Sequence, residues 1–444
     1  MYRIFPPDGM VDATVRLPLS KSESARTLIM DAVAGLPLTE AVADCDDTRV
    51  LRTALADIAA AAGSPVTVDV MASGTALRFL AAYCAATAGC DVVITGTPRL
   101  CQRPVAGLVD ALRAIGAEIE YTAGDGHAPL HIRGRRLQGG SIAVDGSVSS
   151  QFVSALMLVA PAMENGLDIT VTGLPVSVAY SRMTAQMMQA RGVDADFTLY
   201  RITVPAGKYA PAPQDAVTAD WSAASYWYSV TALTSGWVTL PGLSARSPQG
   251  DREMAKIGER LGVVTGDADS DEYPGLPAGT LQLSAGPEQF ASLDWNASDT
   301  PDLVQTVAVA AALLGIRFDI SGVRTLHDKE TDRVAALIAE AAKLGLPFEA
   351  DGDNRLVWDG SRRPITAFPV IDTYDDHRMA MAFAPVSVFL PGLCIRNPQA
   401  VAKSYPGFWD DMTAAGFIVQ EIPDDADPTN YPLPEALTGD CCEG

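Results

Sequence analysis

Basic side chains are scarce in this chain: 32 Lys and Arg stand against 54 Asp and Glu, a formal net charge of −22 over 444 residues. Nucleic acids and anionic membrane surfaces are bound through positive patches, so this deficit argues against both as partners. Histidine is scarcer still: His127, His131, His327 and His377 show no H-E-x-x-H or Cys/His ligand spacing. No metal centre is expected. The seven cysteines (Cys45, Cys84, Cys90, Cys101, Cys394, Cys441, Cys442) are an odd number without a C-x-x-C pair, which reads as reduced thiols in a cytoplasmic protein. No apolar run approaches the ~18 residues of a membrane span, and the longest, near Thr306 to Ile316, falls far short. The opening MYRIFPPDGM lacks the charged-then-apolar pattern of an export signal. The phosphate loop G-x-x-x-x-G-K-[ST] is also missing, and no cofactor is expected.

What is present is a repeat. With 48% hydrophobic residues the chain can build a substantial core, and its length suits two or three compact units. One pattern occurs six times: a small polar opener, an Ala-rich apolar run of helical length, then a glycine leading into a strand-like segment. It runs Ser20 to Gly35, Ser73 to Gly89, Ser147 to Gly166, Asp220 to Gly236, Asp299 to Gly315 and Asp375 to Gly392, each spanning 15 to 19 residues. The opener is Ser in the first three units and Asp in the last three, which predicts two lobes joined near residues 205–220, where VPAGKYAPAPQDA is rich in Pro, Gly and Ala. A second helical pattern follows in each unit, as in PVAGLVDALRAIGAEI, so the class is α/β with strand–helix–strand–helix–strand units.

Ser and Asp openers are good helix caps, and capping alone explains each of them. A helix start also presents unpaired N–H groups and partial positive charge, which suits anions. Lys21, Arg26, Arg78 and Arg378 lie within the first turns of these helices, a pattern that points to small anionic ligands. The sharpest local signals are LPLSKSESART (17–27), SGTALRF (73–79), QRPVAGLVDALR (102–113), VDGSVSSQF (144–152), SPQGD (247–251), TPDL (300–303), KETDR (329–333), YDDHRMAM (374–381) and VAKSYPGFW (401–409). Each alone has an ordinary reading. KETDR suits a salt-bridged helix start, Asp302 a first-turn acid, Arg78 a brace for its own turn, His377 a structural histidine, and Trp221, Tyr226, Trp227 and Tyr228 plain core.

In this order, from about Val15 to Trp409, the motifs resemble the 5-enolpyruvylshikimate-3-phosphate synthase family, the 3-phosphoshikimate 1-carboxyvinyltransferases. The resemblance implies a two-lobed enolpyruvyl transferase fold of six pseudo-repeats, each lobe three βαβαββ units forming an inside-out α/β barrel. Lobe one would be 1–17 plus 219–444 and lobe two 18–218, with a two-strand hinge near 17–20 and 215–220. It implies transfer of the enolpyruvyl group of phosphoenolpyruvate to the 5-hydroxyl of shikimate 3-phosphate, with release of phosphate, by a cytoplasmic monomer sensitive to glyphosate. By motif match Asp302 is the proton acceptor, Glu330 the proton donor, and Lys21 a competitor for part of the proton traffic. Phosphoenolpyruvate would be held by Lys21, Gly74, Arg103, Gln151, Arg333, Arg378 and Lys403. Shikimate 3-phosphate would be held by Lys21, Ser22, Arg26, Ser149, Ser150, Gln151, Ser177, Asp302 and Lys329.

Three departures sit at the edges of this pattern. Ala72-Ser73-Gly74 lacks a side-chain amide usual beside the phosphoenolpyruvate site, Ser177-Val178-Ala179-Tyr180 lacks a proline, and Thr325 and His327 replace residues more often Asn and basic. Two alternatives share the fold. A UDP-N-acetylglucosamine enolpyruvyl transferase would carry an S-G-A-K-N-A type motif and a loop cysteine five residues before R-P, whereas Cys101 lies two before Arg103. A catalytically silent binding protein would need none of Lys21, Asp302, Glu330, Arg333, Arg378 and Lys403. The acidic tail from about Gln420, with Cys441 and Cys442, reads as a solvated terminus.

Overall fold

The computed structural model describes residues 1–270, 276–287 and 290–438, so Cys441 and Cys442 lie outside the described residues. The chain divides into two compact units: Met1–Pro18 with Ala219–Ser247 and Asp251–Gly444, and Leu19–Thr218 with Pro248–Gly250.

The unit of Leu19–Thr218 holds two four-stranded sheets. In one, strands Val66–Asp69 and Asp91–Thr95 run parallel, and Leu130–Arg133 and Glu118–Tyr121 continue it antiparallel. In the other, Gly140–Asp145 and Leu167–Thr172 are parallel, followed by Arg201–Val204 and Asp196–Phe197 antiparallel. Helices Gly74–Ala86 and Ser150–Val159 make the crossovers that parallel neighbours require, and a second helix (Ala106–Ala114, Val178–Ala190) precedes each hairpin. Each set is therefore a βαβαββ unit with its last two strands exchanged in space. The first repeat departs from this plan. Helix Lys21–Ala34 ends at Gly35, whose φ of 66° lets the chain turn, and leads into helix Asp46–Ala61 with no strand of its own.

The other unit holds three sheets of the same order, each with one parallel and two antiparallel pairings. Two of them borrow from the chain's start. Tyr2–Phe5 lies between Leu393–Arg396 and Ile418–Glu421, and Asp12–Thr14 pairs in parallel with Trp237–Pro241. Gly236 marks that approach, since a Cβ there would lie 2.3 Å from the Val11 carbonyl oxygen. In place of the expected inside-out barrel the described residues form five open four-stranded sheets, none of them closed.

The opener helices form the core of each unit. Ser150–Val159 and Val304–Leu313 are almost wholly apolar and buried, which suits helices surrounded by protein, whereas Lys21–Ala34 buries polar side chains as well. Leu28, Ile29, Phe79, Leu80, Leu156 and Met157 are fully inaccessible in one core, and Trp227, Val307, Ala308, Met379 and Met381 in the other. Burying each large side chain contributes roughly 1.5–3 kcal/mol. The whole length of Val304–Leu313 is buried.

Candidate active site

In the unit of Leu19–Thr218, the starts of the inner helices are tied together by side chains. Ser20, Ser73 and Ser149 cap them, accepting hydrogen bonds from the backbone N–H of Glu23, Ala76 and Gln151. The third cap is Ser149 rather than Ser147. Gln151 donates from Nε2 to Thr75 Oγ1 (2.9 Å) and accepts at Oε1 from Arg78 Nη1 (2.9 Å). Arg78 also donates to the carbonyls of Gly74 (3.2 Å) and Pro104 (3.1 Å), so it braces its own turn. A Cβ on Gly74 would stand 2.6 Å from Arg103 Nη1 and 2.7 Å from Arg78 Nη1, so only glycine lets both guanidiniums reach this backbone. Arg103 is itself buried.

One turn deeper, Arg26 is 2% exposed and held by neutral oxygens. It donates to Thr184 Oγ1 (2.7 Å), Ser154 Oγ (3.2 Å) and the carbonyls of Ser22 (2.9 Å) and Tyr180 (3.3 Å). Burial pushes its pKa down to about 10, against weaker attraction from Tyr180 and Glu23. Ser150 is buried, Ser177 takes a left-handed backbone at φ 53° ahead of helix Val178–Ala190, and Ala179, where the usual proline is missing, lies in the first turn of that helix. Lys21 Nζ pairs with Asp47 Oδ2 at 3.1 Å. Asp47 was not singled out by sequence, where a first-turn acid reads as a helix-dipole partner.

The other unit gathers six charged side chains into one alternating network. Arg333, 2% exposed, donates to Asp376 Oδ2 (2.7 Å), Asp302 Oδ1 (2.9 Å) and Glu330 Oε2 (2.9 Å). Arg378 donates to Asp302 Oδ2 (2.7 Å) and to the Asp302 carbonyl (3.0 Å), and Lys403 Nζ lies 3.1 Å from Glu330 Oε1. Burial alone would lower the Arg333 pKa, but Asp376, Glu330 and Asp302 outweigh it and hold the guanidinium above its usual range. Elements distant in sequence supply the network: the 3-10 turn Pro301–Leu303, the start of helix Arg333–Lys343, the start of helix His377–Phe383 and the turn Pro398–Lys403. Lys329 is half-buried in the turn beside Glu330, and His327 Nδ1 lies 2.9 Å from Asp332 Oδ2.

Sequence reasoning missed three members of this neighbourhood. Asp376 is fully buried and caps its helix through the Arg378 N–H (2.9 Å) while holding Arg333. Its only sequence signal was the doubled acid in YDDHR. Tyr226, in the aromatic run read as core, is core, and its hydroxyl also accepts from Arg378 Nη1 (3.3 Å). Asp251, the end of SPQGD, is buried and accepts from the Ser222 hydroxyl. Burial first, then the nearby Asp302, push its pKa up to about 7, with Arg378 pulling the other way. Among the described residues no group of three or more His, Cys, Asp or Glu side chains is placed to hold a metal ion, and no helix is long and apolar enough to cross a membrane.

Repeated βαβαββ units carrying buried arginines beside ionisable carboxyls suit an enzyme of anionic substrates. Comparison with known proteins specifies which. The family described as EPSP synthase (3-phosphoshikimate 1-carboxyvinyltransferase) matches residues 7–412. A 3-phosphoshikimate 1-carboxyvinyltransferase of Bacteroides fragilis is 43% identical over 420 residues, covering 94% of this chain and 98% of its own. One of Methanoculleus marisnigri is 34% identical over 435 residues, covering 92% and 98%. The solved EPSP synthase of Acinetobacter baumannii shares the fold, with a TM-score of 0.69 at 20% identity over 95% of this chain and 100% of that one. The chain belongs to the EPSP synthase family.

Proposed function

We propose that the protein transfers the enolpyruvyl group of phosphoenolpyruvate to the 5-hydroxyl of shikimate 3-phosphate, releasing inorganic phosphate. The observation that carries the residue-level reading is the Arg333 network, where two candidate proton-transfer groups, Asp302 and Glu330, share one buried guanidinium. Arg333, Arg378 and Lys403 are the cations of that network and the groups assigned to the phosphoenolpyruvate anion, with Lys21, Gly74, Arg103 and Gln151 of the other unit. An arriving phosphate or carboxylate competes with Asp302 and Glu330 for these cations. A carboxylate that loses a guanidinium becomes a stronger base. Asp302, so released, takes the proton of the 5-hydroxyl as its oxygen attacks the central carbon of phosphoenolpyruvate. Glu330, so released, holds a proton more readily and delivers it to the methylene carbon. In the second step the phosphate C–O bond breaks, the proton held by Asp302 passes to the leaving phosphate, a proton leaves the new methyl group to Glu330, and the enol ether forms.

Shikimate 3-phosphate is assigned to Lys21, Ser22, Arg26, Ser149, Ser150, Gln151, Ser177, Asp302 and Lys329. Arg26 supports this, because a buried cation held by uncharged oxygens favours an incoming anion. The stretches 17–20 and 215–220 are the proposed hinge, the enzyme acts as a cytoplasmic monomer, and glyphosate competes at the phosphoenolpyruvate positions. The test is phosphate release from phosphoenolpyruvate with shikimate 3-phosphate, then with UDP-N-acetylglucosamine, as acceptor. Release is expected with the first alone; silence with the first sinks the assignment.

A further inference from the structure

The loop that delivers Asp376 and Arg378 is unusual. Tyr374 and Asp375 are consecutive residues with φ of 54° and 58°, and a bulky side chain seldom occupies the left-handed region even once. Something must hold them there. Asp375 Oδ1 accepts from Asn397 Nδ2 (2.5 Å), and the Tyr374 hydroxyl donates to Glu340 Oε1 (2.7 Å). Glu340 is fully buried, and its other oxygen accepts from the Asp372 backbone N–H (3.0 Å) and lies 2.7 Å from Lys343 Nζ. Lys343 in turn reaches Asp372 Oδ2 (2.8 Å) and the Val370 carbonyl (2.9 Å). Glu340 and Lys343 lie on helix Arg333–Lys343, whose first residue is the guanidinium that meets Asp376. One helix therefore grips the segment 370–376 at both ends: through Arg333 where the charge network lies, and through Glu340 and Lys343 away from it.

We infer that Glu340 and Tyr374 are positioning residues, a clamp that fixes the left-handed pair at 374–375 and thereby the placement of Asp376 against Arg333 and the direction of Arg378. The inference rests on the proposed role of Arg333 and Arg378 in holding phosphoenolpyruvate. Neither clamp residue belongs to the proposed substrate shell. Loosening the clamp should therefore weaken one substrate and spare the other, which a general loss of stability does not do.

The test uses the full chain with Tyr374→Phe, which keeps the ring and removes only the hydroxyl, and Glu340→Gln as a second variant. Tyr374→Phe should raise KM for phosphoenolpyruvate roughly tenfold, the scale of one bond to a buried charged group, while KM for shikimate 3-phosphate stays within about twofold. Adding Asp375→Asn, a residue better suited to the left-handed region, should recover part of that loss. Hydrogen exchange of the amides at 374–378 should quicken in Tyr374→Phe whether or not the protein turns over. Unchanged exchange, or equal shifts in both KM values, overturns the clamp. An inactive wild type with quickened exchange in the variant overturns the functional reading and leaves the clamp standing as geometry.

Discussion

Two arginines with the same 2% exposure, Arg26 in one unit and Arg333 in the other, are held in opposite ways. Arg333 meets three carboxylates, and its guanidinium holds its proton more tightly than in water. Arg26 meets hydroxyls and carbonyls, and its pKa is pushed down to about 10. Burial is common to both, so the partners decide. On the proposed function the contrast separates two ways to prepare for an anion: Arg333 would exchange its carboxylates for the substrate's anionic group, which would couple binding to proton movement at Asp302 and Glu330. Arg26 would gain a counter-charge in direct contact, which would favour binding without moving a proton.

The largest effect expected is at Asp302, the carboxylate that bridges Arg333 and Arg378. Asp302→Ala should lower kcat roughly a thousandfold while calorimetry still detects substrate binding; full turnover would remove it from proton transfer. Next comes a direct comparison of the arginines by urea unfolding. Arg333→Gln leaves buried Asp376 without its cation and should cost about 3–5 kcal/mol, whereas Arg26→Gln strands only neutral groups and should cost about 1–3 kcal/mol. Equal losses would erase the distinction. Gly74→Ala should raise KM for phosphoenolpyruvate roughly tenfold or more, because the new methyl must displace Arg103 and Arg78 by tenths of an ångström to an ångström.

The smallest effect expected is a pH slope. Asp251 holds its proton up to about 7 in the folded chain, against an ordinary value of 3.8, so folding takes up a proton in between. Stability from this group is therefore greatest below the ordinary value and declines as pH rises toward about 7. Asp251→Asn removes that decline. Thermal melts should show the variant gaining on the wild type by a few degrees between pH 4 and pH 8, and parallel curves would contradict the assignment.

The helices were legible because their apolar runs are continuous and their openers are caps: Ser20, Ser73 and Asp220 cap as expected. At two of the remaining openers the cap falls on a neighbour, Ser149 or Asp376, since several polar residues in a row leave the choice to packing, and at the third Thr300 leads into the turn Pro301–Leu303 without a side-chain cap bond. The missing sheet of the first repeat was not legible, because residues 36–45 carry the same glycine-then-apolar text that forms strands elsewhere. Within the charge network, Asp302, Glu330, Arg333, Arg378 and Lys403 were visible as motifs, and the structure brings them together. Asp376, Asp251 and Glu340 were not, because each owes its importance to partners 29 to 43 positions away that only the fold supplies.

The strand Tyr2–Phe5 has a consequence in time. It pairs with residues 393–395 on one side and 418–421 on the other, so this strand must wait for segments made long after it. At the usual ~5–20 residues per second the wait is roughly 20–80 s. Residues 19–218 bring both of their sheets' strands with them and need no such delay. Residues 19–218 can thus complete their sheets while the strand Tyr2–Phe5 is still an unpaired edge.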